Sequence, residues 1–386
     1  MNTKSSRNKT IDFDISEGSK YLDACLTEAD VEKHIELKDV TILGDNIRIA
    51  KLLPNKSIDL LILDPPYNLT KTFSKSKFKK KTAREYEAYT KQWLEAFMPL
   101  LKDNASIYVC CDWETSLIIG QVLPDYLIVR NRITWQREKG RGAKSNWKNA
   151  MEDIWFATKT DDYTFNLDAV KVRKKVIAPY RQDGAPKDWD ETSSGNFRDT
   201  CPSNFWDDIT IPFWSMPENT AHPTQKSEKL IAKLILASSN PGDLVLDPFL
   251  GSGTTSVVAK KLQRHYIGIE CEPQYCAWAE YRLSQTQINP TIQGYTDGVF
   301  WERNTLPQQS NLRSSDSDNK LFLRFGMYNN EKIHQLIAFI RRYNGINDKA
   351  KLQILVAKEF SLVKDRSVYY CEDFAIRFSK VSGPGV

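Results

Sequence analysis

The stretch LLILDPPYNL, Leu60 to Leu69, is a run of Leu and Ile that halts at an acid, two prolines, a tyrosine and an asparagine. The apolar run Ile58 to Leu63, interrupted only by Asp59, has the length and composition of a strand buried on both faces, as in a parallel sheet covered by helices. Two successive prolines remove two backbone donors and fix two φ angles, so the strand cannot continue past Asp64 and the chain becomes rigid and extended. Its carbonyls are then free to accept. Asp64 falls at the carboxyl edge, where open α/β sheets bind ligands. A strand-ending turn with a surface tyrosine would read the same way locally, so the decision rests with the rest of the chain.

A second corner answers the first. DPFLGSGTT, Asp247 to Thr255, is a glycine-rich strand-to-helix turn. It lacks the Lys-Ser/Thr of a phosphate loop and the full GxGxxG spacing of a dinucleotide fold, and an acid at the strand tip repels phosphate. A nucleoside ligand carrying ammonium or sulfonium charge fits better: Asp247 can attract the cation while Gly251 and Gly253 let backbone approach it closely. Glu270 ends the next strand, IGIE, one βα unit later, where an acid can accept both ribose hydroxyls. Together these features point to S-adenosylmethionine.

Between and around the corners, strands alternate with helices. VTILGD (Val40 to Asp45), SIYVCCD (Ser106 to Asp112), YLIVRNRITW and EDIWFATK (Glu152 to Lys159) read as strands, and EYEAYTKQWLEAFMPLLKDN as an amphipathic helix with Tyr89, Trp93, Phe97 and Leu100 on one stripe. The fold class predicted is α/β: a mostly parallel doubly wound, Rossmann-like sheet. Residues 1–38 read as an appended arm with a short helix over Lys20 to Ile35, 39–159 as one half of the main domain and 222–287 as the other. Residues 160–221, with five prolines and three tryptophans, break the βα pattern. Residues 288–319 read as a polar linker, and 320–386 as a small C-terminal subdomain with a strand in LFLRFGMY and a helix in EKIHQLIAFIRRY.

The 386 residues are 41% hydrophobic and 27% charged, ordinary globular values, and hold no apolar run long enough to span a bilayer. The polar start MNTKSSRNKT predicts no secretory signal and a cytoplasmic protein. Seven cysteines without a CxxC pair predict free thiols and no metal site. The net charge of +5 is modest, but it is clustered. KTFSKSKFKKKTAR, Lys71 to Arg84, has seven basic residues and no acid; it leaves directly from the proline corner and reads as a flexible cationic arm suited to a polyanion. Asn131 to Lys148 adds six basic residues, with Trp135 and Trp147 placed for base stacking, and KVRKK at Lys171 to Lys175 adds four. Candidate nucleic-acid contacts are Lys77, Lys79, Lys80, Lys81, Arg141, Lys144, Lys174, Arg181 and Arg198. Trp189, Trp206, Phe213 and Trp214 are expected to form a small core within 160–221, the segment expected to read base edges.

At DPPYN (Asp64 to Asn68), HPTQK (His222 to Lys226), DPFLGSGTT and Glu270, with Gly44-Asp45 ahead of the proline corner, the chain resembles the β class of amino-group DNA methyltransferases, the circularly permuted arrangement in which DPPY precedes the cofactor motif. The resemblance covers roughly residues 39 to 286. It departs at Ser227, where the pattern has proline, a change expected to loosen the helix start. It implies S-adenosylmethionine held by Asp45, Thr224, Lys226, Asp247, Phe249, Gly251, Ser252, Gly253, Thr254 and Glu270, with Thr224 and Lys226 near its methionine carboxylate. It implies Asp64, Pro65, Pro66 and Tyr67 at a flipped base in double-stranded DNA, with Tyr67 stacking on that base. It further implies restriction–modification biology, with a homodimer and a separately acting restriction endonuclease as candidate partners. Family members acting on N4 of cytosine carry Ser at the first motif position, so Asp64 favours N6 of adenine. N4-cytosine methylation and a catalytically silent DNA-binding relative are the alternatives. RNA or protein-glutamine methylation is a weaker one.

Overall fold

The computed structural model describes residues 5–33, 37–73, 76–137, 145–177, 181–182, 185–186, 188–192, 195–296 and 298–305, together with four short strands between 322 and 377. The chain divides into two compact units, Met1–Glu191 with Asn196–Thr305, and Thr192–Gly195 with Leu306–Val386.

The first unit is built on a nine-stranded sheet. In chain order its strands are β1 (Leu26–Thr27), β2 (Val40–Leu43), β3 (Ile58–Leu63), β4 (Leu101–Cys111), β5 (Ile128–Gln136), β6 (Met151–Thr158), β7 (Phe205–Trp206), β8 (Leu244–Asp247) and β9 (His265–Glu270). They lie in the order β1-β2-β9-β8-β3-β4-β6-β5-β7. Pairings from β1 through β4 are parallel, β6 is antiparallel to both β4 and β5, and β7 pairs parallel to β5. This is the expected α/β Rossmann-like architecture. Strands β3 and β8 are neighbours, with Leu60 opposite Val245 and Leu61 opposite Leu246. That pairing brings the carboxyl ends of both corner-bearing strands side by side, although Asp64 and Asp247 are far apart in sequence.

Helices α1 (Asn46–Ala50), α2 (Ala83–Phe97), α3 (Trp113–Val122), α4 (Glu228–Ser238), α5 (Thr254–Lys261) and α6 (Pro273–Ser284) flank the sheet. Helix α2 starts at a capping box, Thr82 with Glu85, and buries Tyr86, Thr90, Trp93, Leu94 and Phe97 on one stripe. Trp93 and Phe97 meet the ring of Phe249 edge-on at 6.4 Å, which ties this helix to the glycine corner. The predicted helix was longer. It ends at Phe97, because Pro99 allows only a 3-10 turn over Met98–Leu100, and Leu101 is captured by pairing with Ile58.

Four further expectations are corrected. The helix predicted over Lys20 to Ile35 is two single turns, Ser19–Leu22 and Glu28–Val31, separated by β1, and the arm runs back along the main domain through an Ile11–Thr220 bridge. The start of the predicted 288–319 linker is not a linker: Tyr295–Thr296 and Val299–Trp301 are strands, Phe300 and Trp301 are fully buried, and Val299–Trp301 pairs with Val172–Lys175, which pairs in turn with Gly195–Thr200. Trp135 does not stack on a base. It is 1% exposed and donates its indole N–H to the Ile209 carbonyl. Nor do the tryptophans of 160–221 form one small core, since Trp206 belongs to β7 and packs in the main core while Trp214 is 51% exposed.

Ser227 does not loosen α4. It is the N-cap, buried, and accepts a hydrogen bond from the Leu230 N–H. Ser227→Ala is therefore expected to lower stability by about 1 kcal/mol, readable as a shift in the urea midpoint at constant slope. An unchanged midpoint would restore the loosening view.

The second unit contributes, among its described residues, a four-stranded antiparallel sheet in the order Phe322–Arg324, Ala375–Arg377, Val368–Tyr370, Val363–Asp365. The strand predicted in LFLRFGMY is present over its first part. The helix predicted in EKIHQLIAFIRRY lies outside the described residues.

Candidate active site

The carboxyl ends of β2, β3 and β9 open on a cavity of about 470 Å³, within the range of roughly 300–1,000 Å³ usual for small-molecule sites. Its wall includes Asp45, Asp64, Pro65, Pro66, Tyr67, His222, Thr224, Lys226, Phe249, Gly251 and Glu270. Most of the residues assigned from the two corners thus line one space.

At the proline corner, Asp64 follows β3 and is only 21% exposed at its side chain. Its two carboxylate oxygens each accept from the Lys226 ammonium at 2.7 Å, and Oδ1 also lies 3.1 Å from the Tyr67 hydroxyl. The Pro66 carbonyl accepts from the Tyr86 hydroxyl, whereas the Pro65 carbonyl has no donor among the described residues. Burial alone would lower the Lys226 pKa, but the carboxylates of Asp64 and Glu152 outweigh it and hold the ammonium above the ordinary lysine range. Lys226 is therefore turned to the proline corner. Burial pushes the Tyr67 phenol well up, with Asp64 and Glu152 adding to the shift, so it stays protonated.

Glu152 was absent from the sequence assignment. It opens β6 almost fully buried, with Oε1 2.6 Å from Arg137 and Oε2 3.1 Å from the Tyr67 hydroxyl and 3.4 Å from the Lys226 ammonium. An acid pair, Glu152-Asp153, heading an apolar strand was the available signal. Asn46 was missed too: its amide donates to the Pro248 carbonyl at 2.9 Å and lines the cavity.

At the glycine corner, Gly251 has φ +54 and Gly253 φ +84, in the left-handed region. A Cβ on Gly251 would crowd the His222 ring, and one on Gly253 would lie 2.6 Å from the Ala279 side chain on α6. Gly253 thus serves close helix packing, while Gly251 faces the cavity. The N–H of Gly251 donates to Glu270 Oε2 at 2.8 Å, and the N–H groups of Cys271 and Glu272 donate to Oε1 at 2.9 Å. Burial raises the Glu270 pKa against these donors.

Asp247 is turned inward. It accepts from the Phe249 N–H and the Thr255 hydroxyl and lines a small adjoining space of about 30 Å³ with Ser252 and Thr254, and burial pushes its carboxyl up to about 7. Asp45 caps α1 by accepting from the Arg48 N–H, with its residue still on the cavity wall. His222, packed edge-on against Tyr275 at 4.4 Å, is held neutral because burial and then Lys226 depress its pKa to about 3.

The basic runs are less uniform than expected. The arm after DPPY is a hairpin, Lys71–Phe73 with Ser76–Phe78, closed by Asn68, whose side chain bonds both the N–H and carbonyl of Lys81. Lys77 lies in its second strand. Lys79 is exposed, Lys80 pairs with Glu114 at 2.7 Å, and Lys81 lies over the Phe78 and Tyr89 rings. Lys174, Arg181 and Arg198 are exposed, with Arg181 over Trp189 and Arg198 paired to Asp188. Arg141 and Lys144 lie outside the described residues.

The family profile described as DNA methylase matches residues 58–281, more than half of the chain and both corners. The chain belongs to this DNA methylase family. Its members are S-adenosylmethionine-dependent methyltransferases, and S-adenosylmethionine is the cofactor of this DNA methyltransferase. It is similar to Type II methyltransferase M.HpaI of Haemophilus parainfluenzae, 36% identical over 245 residues that cover 63% of this chain and 73% of the relative. It is also similar to Type II methyltransferase M1.MboII of Moraxella bovis, 33% identical over 250 residues covering 61% and 92%. A solved complex of M1.HpyAVI with SAM aligns over 63% of this chain and 98% of that one, at 25% identity and a TM-score of 0.44. Among the described residues no helix is long and apolar enough to cross a membrane.

Proposed function

We propose that the protein methylates N6 of adenine at a specific site in double-stranded DNA, acting on a base rotated out of the helix. The observation that carries this reading is the proline corner, where the Asp64 carboxylate and the Pro65 carbonyl, which has no donor among the described residues, line the same cavity as the glycine turn. An adenine amino nitrogen is a poor nucleophile because its lone pair is delocalised into the ring. Asp64 and the Pro65 carbonyl accept its two hydrogens, so the lone pair turns out of the ring plane toward the methyl donor. Positioning and preorganised electrostatics supply the rate, each worth several kcal/mol. The proton of the methylated amino group then leaves to solvent or to Asp64. The target atom is unreachable within a duplex, which is why the base must be flipped.

When bound, S-adenosylmethionine supplies an electrophilic methyl on a sulfonium centre. The cavity fits such a ligand: Gly251 presents backbone where a side chain would crowd His222, Glu270 Oε2 keeps a lone pair beyond its single N–H, and Asp45 offers further acceptor capacity. Phe249 and Thr224 complete its contacts, while Ser252, Gly253, Thr254 and Asp247 shape the turn behind it. Lys226 serves the proline corner in this reading, and Tyr67 meets the base with its ring. Asp64 at the first motif position favours adenine over cytosine. The relatives named Type II methyltransferases support a place in restriction–modification.

The hairpin and the 160–221 segment are assigned to DNA. Replacing Lys77, Lys79, Lys80 and Lys81 together by Gln is expected to weaken DNA binding and flatten its salt dependence, the slope falling by roughly 0.9 for each phosphate no longer neutralised. An unchanged slope would return the run to an ordinary solvated surface. The overall reading is tested by sequencing DNA from cells expressing the protein with a modified-base readout. One recurrent motif carrying N6-methyladenine is expected, and modified cytosine or an unmodified genome would refute it.

A further inference from the structure

We propose that Glu152 is a positioning residue that draws Lys226 and Tyr67 off Asp64 when the target amino group arrives; the inference rests on the amino-transfer reading above. A carboxylate offers about four lone-pair positions. On Asp64 three are engaged: Lys226 occupies one on each oxygen at 2.7 Å and Tyr67 another on Oδ1 at 3.1 Å. The remaining position belongs to a carboxylate whose charge is largely cancelled by the ammonium, a weak acceptor for the amino hydrogen it must polarise. Both donors have the same alternative. Glu152 Oε2 lies 3.1 Å from the Tyr67 hydroxyl and 3.4 Å from the Lys226 ammonium. The hydroxyl has one proton and can give it to only one carboxylate at a time. Arg137 grips the other oxygen, Oε1, at 2.6 Å, which fixes the carboxylate and leaves Oε2 aimed at the two donors. The register explains the placement: Glu152 opens β6 opposite Trp135 of β5, one strand beyond β4, whose Val109 pairs with Leu63 just before Asp64. Lys226 therefore lies between two carboxylates, and transfer of the ammonium from one to the other exposes charge on Asp64 without leaving a buried cation unpaired.

The test uses the purified full chain, methyl-tritiated S-adenosylmethionine and unmodified plasmid DNA, read in single turnover, with cofactor affinity measured by calorimetry. Glu152→Gln is expected to slow transfer about 30- to 100-fold with cofactor affinity within about twofold, and Glu152→Asp to fall between it and wild type. In a Lys226→Met background, Glu152→Gln is expected to add less than about threefold, because the ammonium that carries most of its action is missing and only the Tyr67 hydroxyl remains for it to draw off. Wild-type rates in Glu152→Gln, or an equal loss on both backgrounds, would overturn the inference while leaving the function intact. Should Glu152→Gln not fold, Glu152→Asp decides by the same split between rate and cofactor affinity: a slowed rate at intact affinity supports the inference, and parallel loss of both, the mark of a structural role, contradicts it. Absence of transfer by the wild-type protein would remove the functional reading first and this inference with it.

Discussion

Asp64→Ala is expected to slow methyl transfer to DNA by about a thousandfold or more, roughly 4 kcal/mol of lost transition-state stabilisation, with S-adenosylmethionine affinity changed less than about threefold. The split follows from the geometry. Asp64 ends β3 beside Pro65, Tyr67 and Lys226, whereas the glycine-corner acceptor Glu270 ends β9, two strands away in the sheet. Removing Asp64 also takes from Lys226 its nearest counter-ion, leaving Glu152 at 3.4 Å to hold a nearly buried ammonium. Asp64→Asn, which keeps the shape, separates the two consequences: it is expected to lose most of the rate with a smaller loss of stability. Equal loss of rate and cofactor binding in a folded Asp64 variant would count against the assignment.

The second large effect is expected at Glu270. Glu270→Ala should weaken S-adenosylmethionine binding about 10- to 30-fold, since Oε2 has one acceptor position left for the ligand and a hydrogen bond to a carboxylate contributes about 1.5–3 kcal/mol, part of it recovered by water. It should also destabilise the apo protein, because the N–H groups of Gly251, Cys271 and Glu272 all lose their acceptor. Calorimetric titration checks the first effect and thermal unfolding the second. Unchanged cofactor affinity in a folded Glu270→Ala protein would mean that the glycine turn is not where the nucleoside lies.

What could be read from the sequence was what is local. The proline corner and the glycine turn each combine a strand, a break and an acid within ten residues, and backbone chemistry alone dictates their conformation. The parallel strands β2, β3, β8 and β9 followed from short, mostly apolar runs. Long-range pairing was not legible. Lys226 and Asp64 are 162 residues apart, and nothing near HPTQK says that its lysine turns to the proline corner. Glu152 depends on β6 running antiparallel between β4 and β5, a reversal that the apolar patterns of those strands do not encode. Trp135 was misjudged because aromatic and basic residues on one strand look alike whether they face a core or a ligand; here alternate residues face inward, and the indole finds a buried carbonyl. Val299–Trp301 was lost in a polar stretch because three apolar residues are too few to register as a strand without the partner that covers them.

The most direct test of the central claim is the chemical identity of the product. The purified protein, incubated with methyl-tritiated S-adenosylmethionine and unmodified DNA, should place label in a single nucleoside after enzymatic digestion, co-migrating with N6-methyldeoxyadenosine, and the Asp64→Ala protein should place about a thousandth as much or less in the same time. Label in N4-methyldeoxycytidine would contradict the adenine assignment, and no label in DNA from a wild-type protein shown to bind the cofactor would contradict amino-methyl transfer itself.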